Sequence, residues 1–216
     1  MSKSSTTASK GELTRASILD AAVQQAALAG FEALTIGGLA SQTGLSKSGL
    51  FAHFGSKEEL QLAALDEVVR RFIETAYQPA LAAPAGRARL LALFAHWLQW
   101  TRRSGLPACP MMSALGEYDS QPGPMRDALE REMRRLDAAI ADNVATAIAL
   151  GEFSGAVTPQ QFAFETFGII ASCYRSRILY QDPESGTQAQ LAFTRLLAAA
   201  AGETPAGTVA PATVRP

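Results

Sequence analysis

Apolar side chains recur every three or four residues along most of this chain, in segments separated by glycine, proline or helix-capping residues. In the first such segment they run from Ile18 to Ala26 and stop at Gly30. This spacing collects apolar side chains on one face of an α-helix. No segment alternates apolar and polar residues as a half-buried strand does. The pattern therefore predicts an all-α fold of about nine helices.

The composition limits the class of protein further. Hydrophobic residues make up 48% of the 216 residues and charged residues 18%, which supports a sizeable core and excludes a wholly disordered chain. The net charge of −1 excludes a heavily basic nucleic-acid binder. No apolar run reaches the roughly 18 residues of a membrane span, and the N-terminus does not have the pattern of a signal peptide. Because the chain has two cysteines, we expect no disulfide framework and a cytoplasmic protein.

Residues 35–54 predict two short helices joined by a tight turn. Thr35 and Ser46 can cap the two helices, and Gly44 can form the turn between them. This is the layout of a helix-turn-helix, whose second helix lies in the major groove of DNA. A helical hairpin that binds no DNA has the same spacing, so the pattern alone leaves both interpretations open.

Positive charge is concentrated towards the N-terminus. All four lysines lie in the first 57 residues, which carry a net charge of +2, whereas the other 159 residues carry −3. We therefore expect the N-terminal segment to meet phosphate and the rest of the chain not to do so broadly. Because the positive charge is small, the salt dependence of DNA binding should be modest.

Residues 14–60 contain a series of short stretches that belong together. They are Ile18-Leu-Asp-Ala-Ala22, Gly30-Phe31, Thr35-Ile36, Leu39-Ala40, Gly44-Leu-Ser-Lys47, Leu50-Phe51, His53-Phe54 and Ser56-Lys-Glu-Glu-Leu60. With these stretches, residues 14–60 resemble the N-terminal DNA-binding domain of TetR-family transcriptional regulators.

The resemblance implies a homodimer with a C-terminal ligand pocket, usually a repressor that a small molecule releases from a palindromic operator. It implies a helix-turn-helix domain over residues 9–57 and a ligand-binding and dimerisation domain over 58–202. Residues 1–8 and the tail over 203–216 are predicted to be disordered from their composition.

Carried over position by position, the resemblance assigns eight residues to the DNA-binding surface. Lys57 would contact a phosphate, and Phe51 stands where many members have a tyrosine, so it lacks that hydroxyl contact. Simpler roles stay open, with Ser46 as a helix cap alone, His53 as a solvated side chain and Lys57 as a residue of the capping turn alone. The eight residues are Thr35, Ser46, Lys47, Ser48, Gly49, Phe51, His53 and Lys57.

Aromatic and methionine side chains of the body are candidates for the pocket that the resemblance implies. Such a lining suits an apolar or aromatic small molecule. An ordinary hydrophobic core is the alternative for any one of these residues, and His96 is the candidate for a polar contact. The predicted lining is Phe94, His96, Trp97, Trp100, Met111, Met112, Leu115, Tyr118, Phe164, Phe167 and Tyr174.

The last two predicted helices are the candidates for the dimer interface. The first begins near Thr158 and is apolar nearly all round, which predicts that it is buried. Two helices from each subunit would form a four-helix interface, as the resemblance implies. The alternative is that both helices only complete the core of one subunit. The predicted interface residues are Phe167, Ala171, Leu191, Phe193, Leu196 and Leu197.

Other chemistry has weak support in the sequence. A DNA-binding redox or electrophile sensor acting through Cys109 is one alternative, and a helical enzyme is another. The two histidines and two cysteines do not have the spacing of a metal site, no nucleophile and base can be paired, and no cofactor is predicted. The sequence also leaves open whether the regulator represses or activates.

Overall fold

The computed structural model describes residues 9–120 and 122–203, and its described residues form helices and no strand. The predicted all-α class is confirmed: residues 9–120 and 122–203 contain nine helices of eight residues or more, one three-residue helical segment and one π-helical turn. The predicted disorder at residues 1–8 and 204–216 lies outside the described residues. The helices are α1 (Lys10–Ala29), α2 (Ile36–Thr43), α3 (Lys47–Phe54), α4 (Lys57–Phe72), α5 (Gln78–Ala80), α6 (Arg87–Arg103), α7 (Pro110–Tyr118), α8 (Pro124–Ala149), α9 (Pro159–Ile178) and α10 (Ser185–Ala200).

Local signals fix where most of these helices begin and end. Ser9 and Glu12 form a capping box at the start of α1, and the Ser56 hydroxyl accepts a hydrogen bond from the Glu59 amide at the start of α4. Pro159 occupies the first turn of α9, where a backbone N–H would have no acceptor within the helix, so proline loses no hydrogen bond there. Gly44 ends α2 in the left-handed region, at φ 70°. These caps set the register of the helices around the candidate site.

The helix that starts at Lys57 does not end at Phe72. It continues through a π-helical turn, Ile73–Tyr77, and then through α5, which contains Pro79. The continuous helical run therefore ends just after Pro79, at Ala80. The π-helical turn is wider than an α-helical turn, and such turns are rare.

Two compact units divide the described chain, and the first contains the helix-turn-helix. It comprises residues up to Thr75 together with Gln99–Met133. In this unit α1 packs against α2, α4 and α7, and α7 also packs against α4. Its core includes the fully buried side chains of Ile18, Val23, Phe31, Leu34, Leu39, Leu50, Leu60 and Leu65. The helix α7 therefore packs on α1 and α4, the two helices that flank the helix-turn-helix in the chain.

The second unit comprises Ala76–Leu98 and the chain from Arg134 onwards, and α9 packs along α10 within it. Phe94 and Phe193 stack with ring centroids 3.9 Å apart, and Phe162 meets Phe193 edge-on. The prediction that α9 is buried all round is wrong. Phe164 is 73% exposed, because only one face of α9 faces this core.

An ion-pair cluster on α4 joins it to α1. Glu67 pairs with Arg70 at 2.6 Å and with Arg71 at 2.8 Å, and Arg71 also reaches Asp20 of α1 at 3.0 Å. Hydrogen bonding from Arg70, followed by that from Arg71, lowers the pKa of Glu67 below its ordinary value, against the opposing effect of burial. The cluster stabilises the contact between α1 and α4 while Glu67 is ionised.

Candidate nucleic-acid interface

The helix-turn-helix is assembled from two capped helices. The Thr35 hydroxyl accepts a hydrogen bond from the Gly38 amide at 3.0 Å, and the Ser46 hydroxyl accepts one from the Gly49 amide at 3.0 Å. The caps satisfy amides at the start of each helix that have no partner within the helix. The chain turns between α2 and α3 at Gly44, which has no neighbour where a Cβ would stand. Ser46 is therefore a helix cap, as one of its two predicted roles required.

Two side chains of α3 are buried, and several others on the same helix are open to solvent. Leu50 and Phe54 lie in the core. Lys47, Ser48 and Phe51 are exposed, and Phe51 leaves 50% of its surface in contact with solvent. Residues at positions 47 and 51 share a helix face because they are four apart. The exposed surface of α3 that is formed by Lys47, Ser48 and Phe51 is termed the recognition face.

The remaining predicted DNA contacts surround this face. The Ser48 hydroxyl lies 3.1 Å from the Ser46 hydroxyl, and Thr35 is exposed at the start of α2. The side chain of Lys47 crosses Gly37, where a Cβ would stand 3.3 Å from the lysine Cε. His53 is half-buried and its ring lies 6.3 Å from that of Phe54. The structure thus brings seven of the eight predicted residues to α3 or the start of α2.

Lys57 occupies a different environment from the one predicted. Its ammonium donates to the Glu32 carbonyl at 2.9 Å and pairs with the Glu32 carboxylate at 3.1 Å. The Tyr118 hydroxyl, which lies beside Glu32, and the Lys57 ammonium both lower the pKa of this carboxyl. The ammonium therefore already has two partners within the first unit, and we assign Lys57 to the packing of α4 against the α1–α2 turn.

A second open surface lies between α9 and α10. It is a groove of about 810 Å³, lined largely by small and polar side chains such as Gly168, Ser172, Ala192 and Ala199. Arg175, Arg195 and Glu165 add charge to its lining. The groove lies wholly within the second unit.

Comparisons with known proteins decide the family. Residues 18–64 match the family described as bacterial regulatory proteins, tetR family, and residues 86–193 match the tetracyclin repressor-like, C-terminal domain. The second match alone covers half of the chain. The chain belongs to the TetR family of transcriptional regulators. None of the curated proteins matches it.

Solved structures of other regulators share the fold of this TetR-family chain. A TetR transcriptional regulator from Chloroflexus aurantiacus is 24% identical, with a TM-score of 0.78 over 90% of this chain and 97% of its own. One from Cytophaga hutchinsonii is 17% identical, with a TM-score of 0.77 over 90% and 98%. AibR, solved with isovaleryl coenzyme A and operator DNA, is 18% identical, with a TM-score of 0.69 over 88% and 100%. At these identities the likeness shows the fold.

Membership makes this protein a DNA-binding regulator of transcription rather than an enzyme. Among residues 9–120 and 122–203, no cluster of three or more His, Cys, Asp or Glu side chains could hold a metal ion. In the same part of the chain, no helix is long and apolar enough to cross a membrane.

Cys109 is buried immediately before α7. Because redox-sensing cysteines are accessible to solvent, this position gives no support to the redox alternative.

The residues predicted to line a ligand pocket have different degrees of burial in this regulator. Within the second unit, Phe94 and Trp97 are buried, whereas Phe164 faces solvent. Within the first unit, Trp100 meets the ring of Phe72 edge-on at 5.7 Å and Tyr118 is buried. His96, Met111, Met112, Leu115, Phe167 and Tyr174 are partly buried. Because Phe164 is open to solvent, it is not a candidate for the lining of an enclosed ligand pocket.

The residues predicted for the dimer interface also separate into two groups. Phe193 and Leu197 are buried in the core of the same subunit, so neither side chain is available to a partner. Leu191 is 51% exposed, Leu196 lines the α9–α10 groove, and Phe167 and Ala171 are partly buried. We therefore keep Phe167, Ala171, Leu191 and Leu196 as interface candidates and assign Phe193 and Leu197 to the core.

Sequence reasoning missed the side chains that hold the α1–α2 turn. Glu117 accepts a hydrogen bond from the Glu32 amide at 2.9 Å, and Gln61 donates to the Phe31 carbonyl at 2.8 Å. Gln61 is the clearer omission, since it is a polar residue only 5% exposed. Its position three, four and seven residues before Ala64, Leu65 and Val68, on the apolar face of α4, was the available signal. Nothing local to Glu117 indicates a partner 85 residues away.

Proposed function

We propose that this chain is a homodimeric repressor that a small molecule releases from a palindromic operator. Each subunit inserts α3 into the major groove of one half-site. Lys47, Ser48 and Phe51 contact the DNA, and Thr35 and Ser46 flank them. The protein acts in the cytoplasm, beside the chromosomal DNA that carries its operator.

The recognition face is the observation that carries this proposal. Leu50 and Phe54 anchor α3 in the core, and the packing of the subunit does not account for the half-exposed ring of Phe51. An apolar ring beside a lysine and a serine fits a major groove, where thymine methyl groups lie beside hydrogen-bond acceptors and phosphates. A charge of +2 over the first 57 residues supports contact with few phosphates.

Dimerisation through α9 and α10 completes the proposal. Phe164 and Leu191 place large apolar side chains on the outside of these two helices, and a groove runs between them. Exposed apolar surface of this kind marks an interaction site. A two-fold dimer also suits the recognition of DNA, because one helix reads few base pairs and a palindrome doubles the specific contacts.

The effector is proposed to be a small molecule with apolar or aromatic character. The fold likeness to AibR, whose structure contains isovaleryl coenzyme A and operator DNA, supports effector control of DNA binding. Ligand binding would move α4, alter the spacing of the two recognition helices and weaken operator binding. Such switching is a population shift, and its extent is set by the ligand's differential affinity for the two states.

Fluorescence anisotropy tests the proposal with the DNA that lies upstream of this protein's reading frame. Scrambled DNA of the same composition is the control, and both are titrated over a salt series. We expect tight binding to the upstream DNA alone, with two chains per site or a multiple of two. If selection from random DNA also yields no preferred sequence, the DNA-binding proposal is wrong.

The sign of regulation needs a second readout, because an activator uses the same helix-turn-helix. A reporter gene placed behind the selected operator is measured with and without the protein. Repression predicts that reporter output falls when the protein is present. A rise in output would replace the repressor proposal with an activator.

A further inference from the structure

The turn between α1 and α2 is held by side chains from three helices. Gln25 of α1 donates to the Ala33 carbonyl at 3.1 Å, and Gln61 of α4 donates to the Phe31 carbonyl at 2.8 Å. Lys57 of α4 donates to the Glu32 carbonyl at 2.9 Å. Glu117 of α7 completes the set by accepting from the Glu32 amide at 2.9 Å. Backbone groups of three successive residues, Phe31, Glu32 and Ala33, are therefore each hydrogen-bonded to a side chain.

Glu117 comes from a different part of the fold from the other three side chains. Gln25, Lys57 and Gln61 lie in α1 and the first turns of α4, whereas Glu117 lies near the end of α7. The backbone of the turn fits this carboxylate closely, since a Cβ on Gly30 would collide with it. Gly30 also has a φ of 85°. The hydrogen bond to the Glu32 amide and the space left at Gly30 are two separate observations of the same contact.

The turn determines where α2 begins. Phe31 and Leu34 anchor the turn in the core, and Thr35 caps α2 directly after it. Because α2 packs against α3, a turn fixed in place also fixes the direction in which the recognition face points. We infer that Glu117 is a positioning residue for DNA recognition, which holds the helix-turn-helix in its binding orientation from α7. This inference rests on the proposed function.

The expected effect follows from pre-organisation. Without the contact from α7, only a fraction of the molecules has the helix-turn-helix in the orientation that binds DNA. The apparent affinity for DNA is then reduced to that fraction of its full value. Electrostatics alone predicts the opposite sign, because removing a negative charge near a DNA-binding surface strengthens the attraction to phosphate. Neither effect changes the number of phosphate contacts. The slope of log K against log salt concentration, the salt slope, should therefore stay the same.

Three variants separate these effects in anisotropy titrations with the selected operator. Glu117→Ala removes the hydrogen-bond acceptor and the charge, whereas Glu117→Gln removes the charge and keeps an acceptor. Asp119→Ala is the matched control, because it removes an exposed carboxylate two residues away. We expect Glu117→Ala to weaken operator binding by about tenfold, the equivalent of one net hydrogen bond. Glu117→Gln and Asp119→Ala should bind within about twofold of the wild type.

A double-mutant cycle tests the same contact from Gly30. The strain of a side chain at this φ is present in any background, whereas the collision with the carboxylate requires Glu117. We therefore expect Gly30→Ala to weaken operator binding more in the wild-type background than in Glu117→Ala. Equal effects in both backgrounds would overturn the role assigned to the contact. The three single variants above do not depend on Gly30→Ala folding.

The outcomes distinguish the inference from the proposed function. If the wild type binds its operator and Glu117→Ala binds equally well, the positioning role is wrong and the proposed function stands. The role is also wrong if Glu117→Gln is as weak as Glu117→Ala, or if Glu117→Ala changes the salt slope. If the wild type does not discriminate between operator and scrambled DNA, the proposed function fails and the positioning role fails with it.

Discussion

At the scale of single residues, Lys47 is the cation most clearly presented by α3. It is exposed on the recognition face, whereas the ammonium of Lys57 is bound to Glu32. We expect Lys47→Ala to weaken operator binding and to lower the slope of log K against log salt by about 1. Arg126→Ala removes the same charge from an exposed site on α8 and should leave the slope unchanged. An unchanged slope in Lys47→Ala would exclude a phosphate contact at this position.

The backbone at Gly44 gives a second prediction at this scale. Its φ of 70° lies in the left-handed region, and no atom stands near the position of a Cβ. Gly44→Ala should therefore destabilise the fold by about 1–2 kcal/mol through backbone strain alone. Gly44→Asn should cost less, since asparagine tolerates this region.

Gly116 is the matched control for that substitution, and urea unfolding is the measurement. It lies inside α7, with open space where a Cβ would stand. Gly116→Ala should raise the free energy of unfolding by about 0.5–1 kcal/mol, because alanine favours a helix more than glycine does. Equal effects of alanine at positions 44 and 116 would show that the conformation at Gly44 imposes no cost.

At the scale of secondary-structure elements, the ion-pair cluster between α1 and α4 predicts a dependence of stability on pH. The pKa of Glu67 is held below its ordinary value of 4.5 in the folded state. Its contribution is therefore complete above about pH 4.5 and is lost as the pH falls through the lowered folded-state value. We expect Glu67→Gln to reduce this loss of stability on acidification.

Urea unfolding between pH 6 and pH 3 measures this effect. Asp66→Asn is the control, because it removes an exposed carboxylate from the adjacent position of the same helix. The prediction is contradicted if Glu67→Gln and Asp66→Asn have the same acid dependence.

The elements were largely predictable from the sequence because their signals are local. Periodicity, the capping residues Thr35 and Ser46, and the glycines at positions 30 and 44 predicted the helices around the DNA-binding motif. The hydrogen bond between Glu117 and the Glu32 amide was not predictable, because it joins residues 85 apart and leaves no local pattern. The apolar character of α9 was misread as complete burial, because an exposed apolar face and a core face have the same composition.

At the scale of the whole molecule, the outer surface of α9 and α10 predicts how the protein assembles. Leu191→Lys places a charge on the proposed interface without entering the subunit core, because this side chain is half-exposed. We expect this variant to shift sedimentation equilibrium towards the monomer and to weaken operator binding. Leu150→Lys introduces the same change at a leucine that is 62% exposed just after α8, and it should remain dimeric. A dimeric Leu191→Lys protein would exclude Leu191 from the interface.

The half-exposed ring of Phe51 has a consequence for the heat of DNA binding. If this ring leaves water on entering the major groove, the hydration change contributes a negative heat capacity of association. The binding enthalpy of the wild type should then become more negative with rising temperature, and more steeply than that of Phe51→Ala. Because a dimer carries two such rings, the regulator would bind its operator with a calorimetric signature more typical of apolar association than of a purely ionic contact.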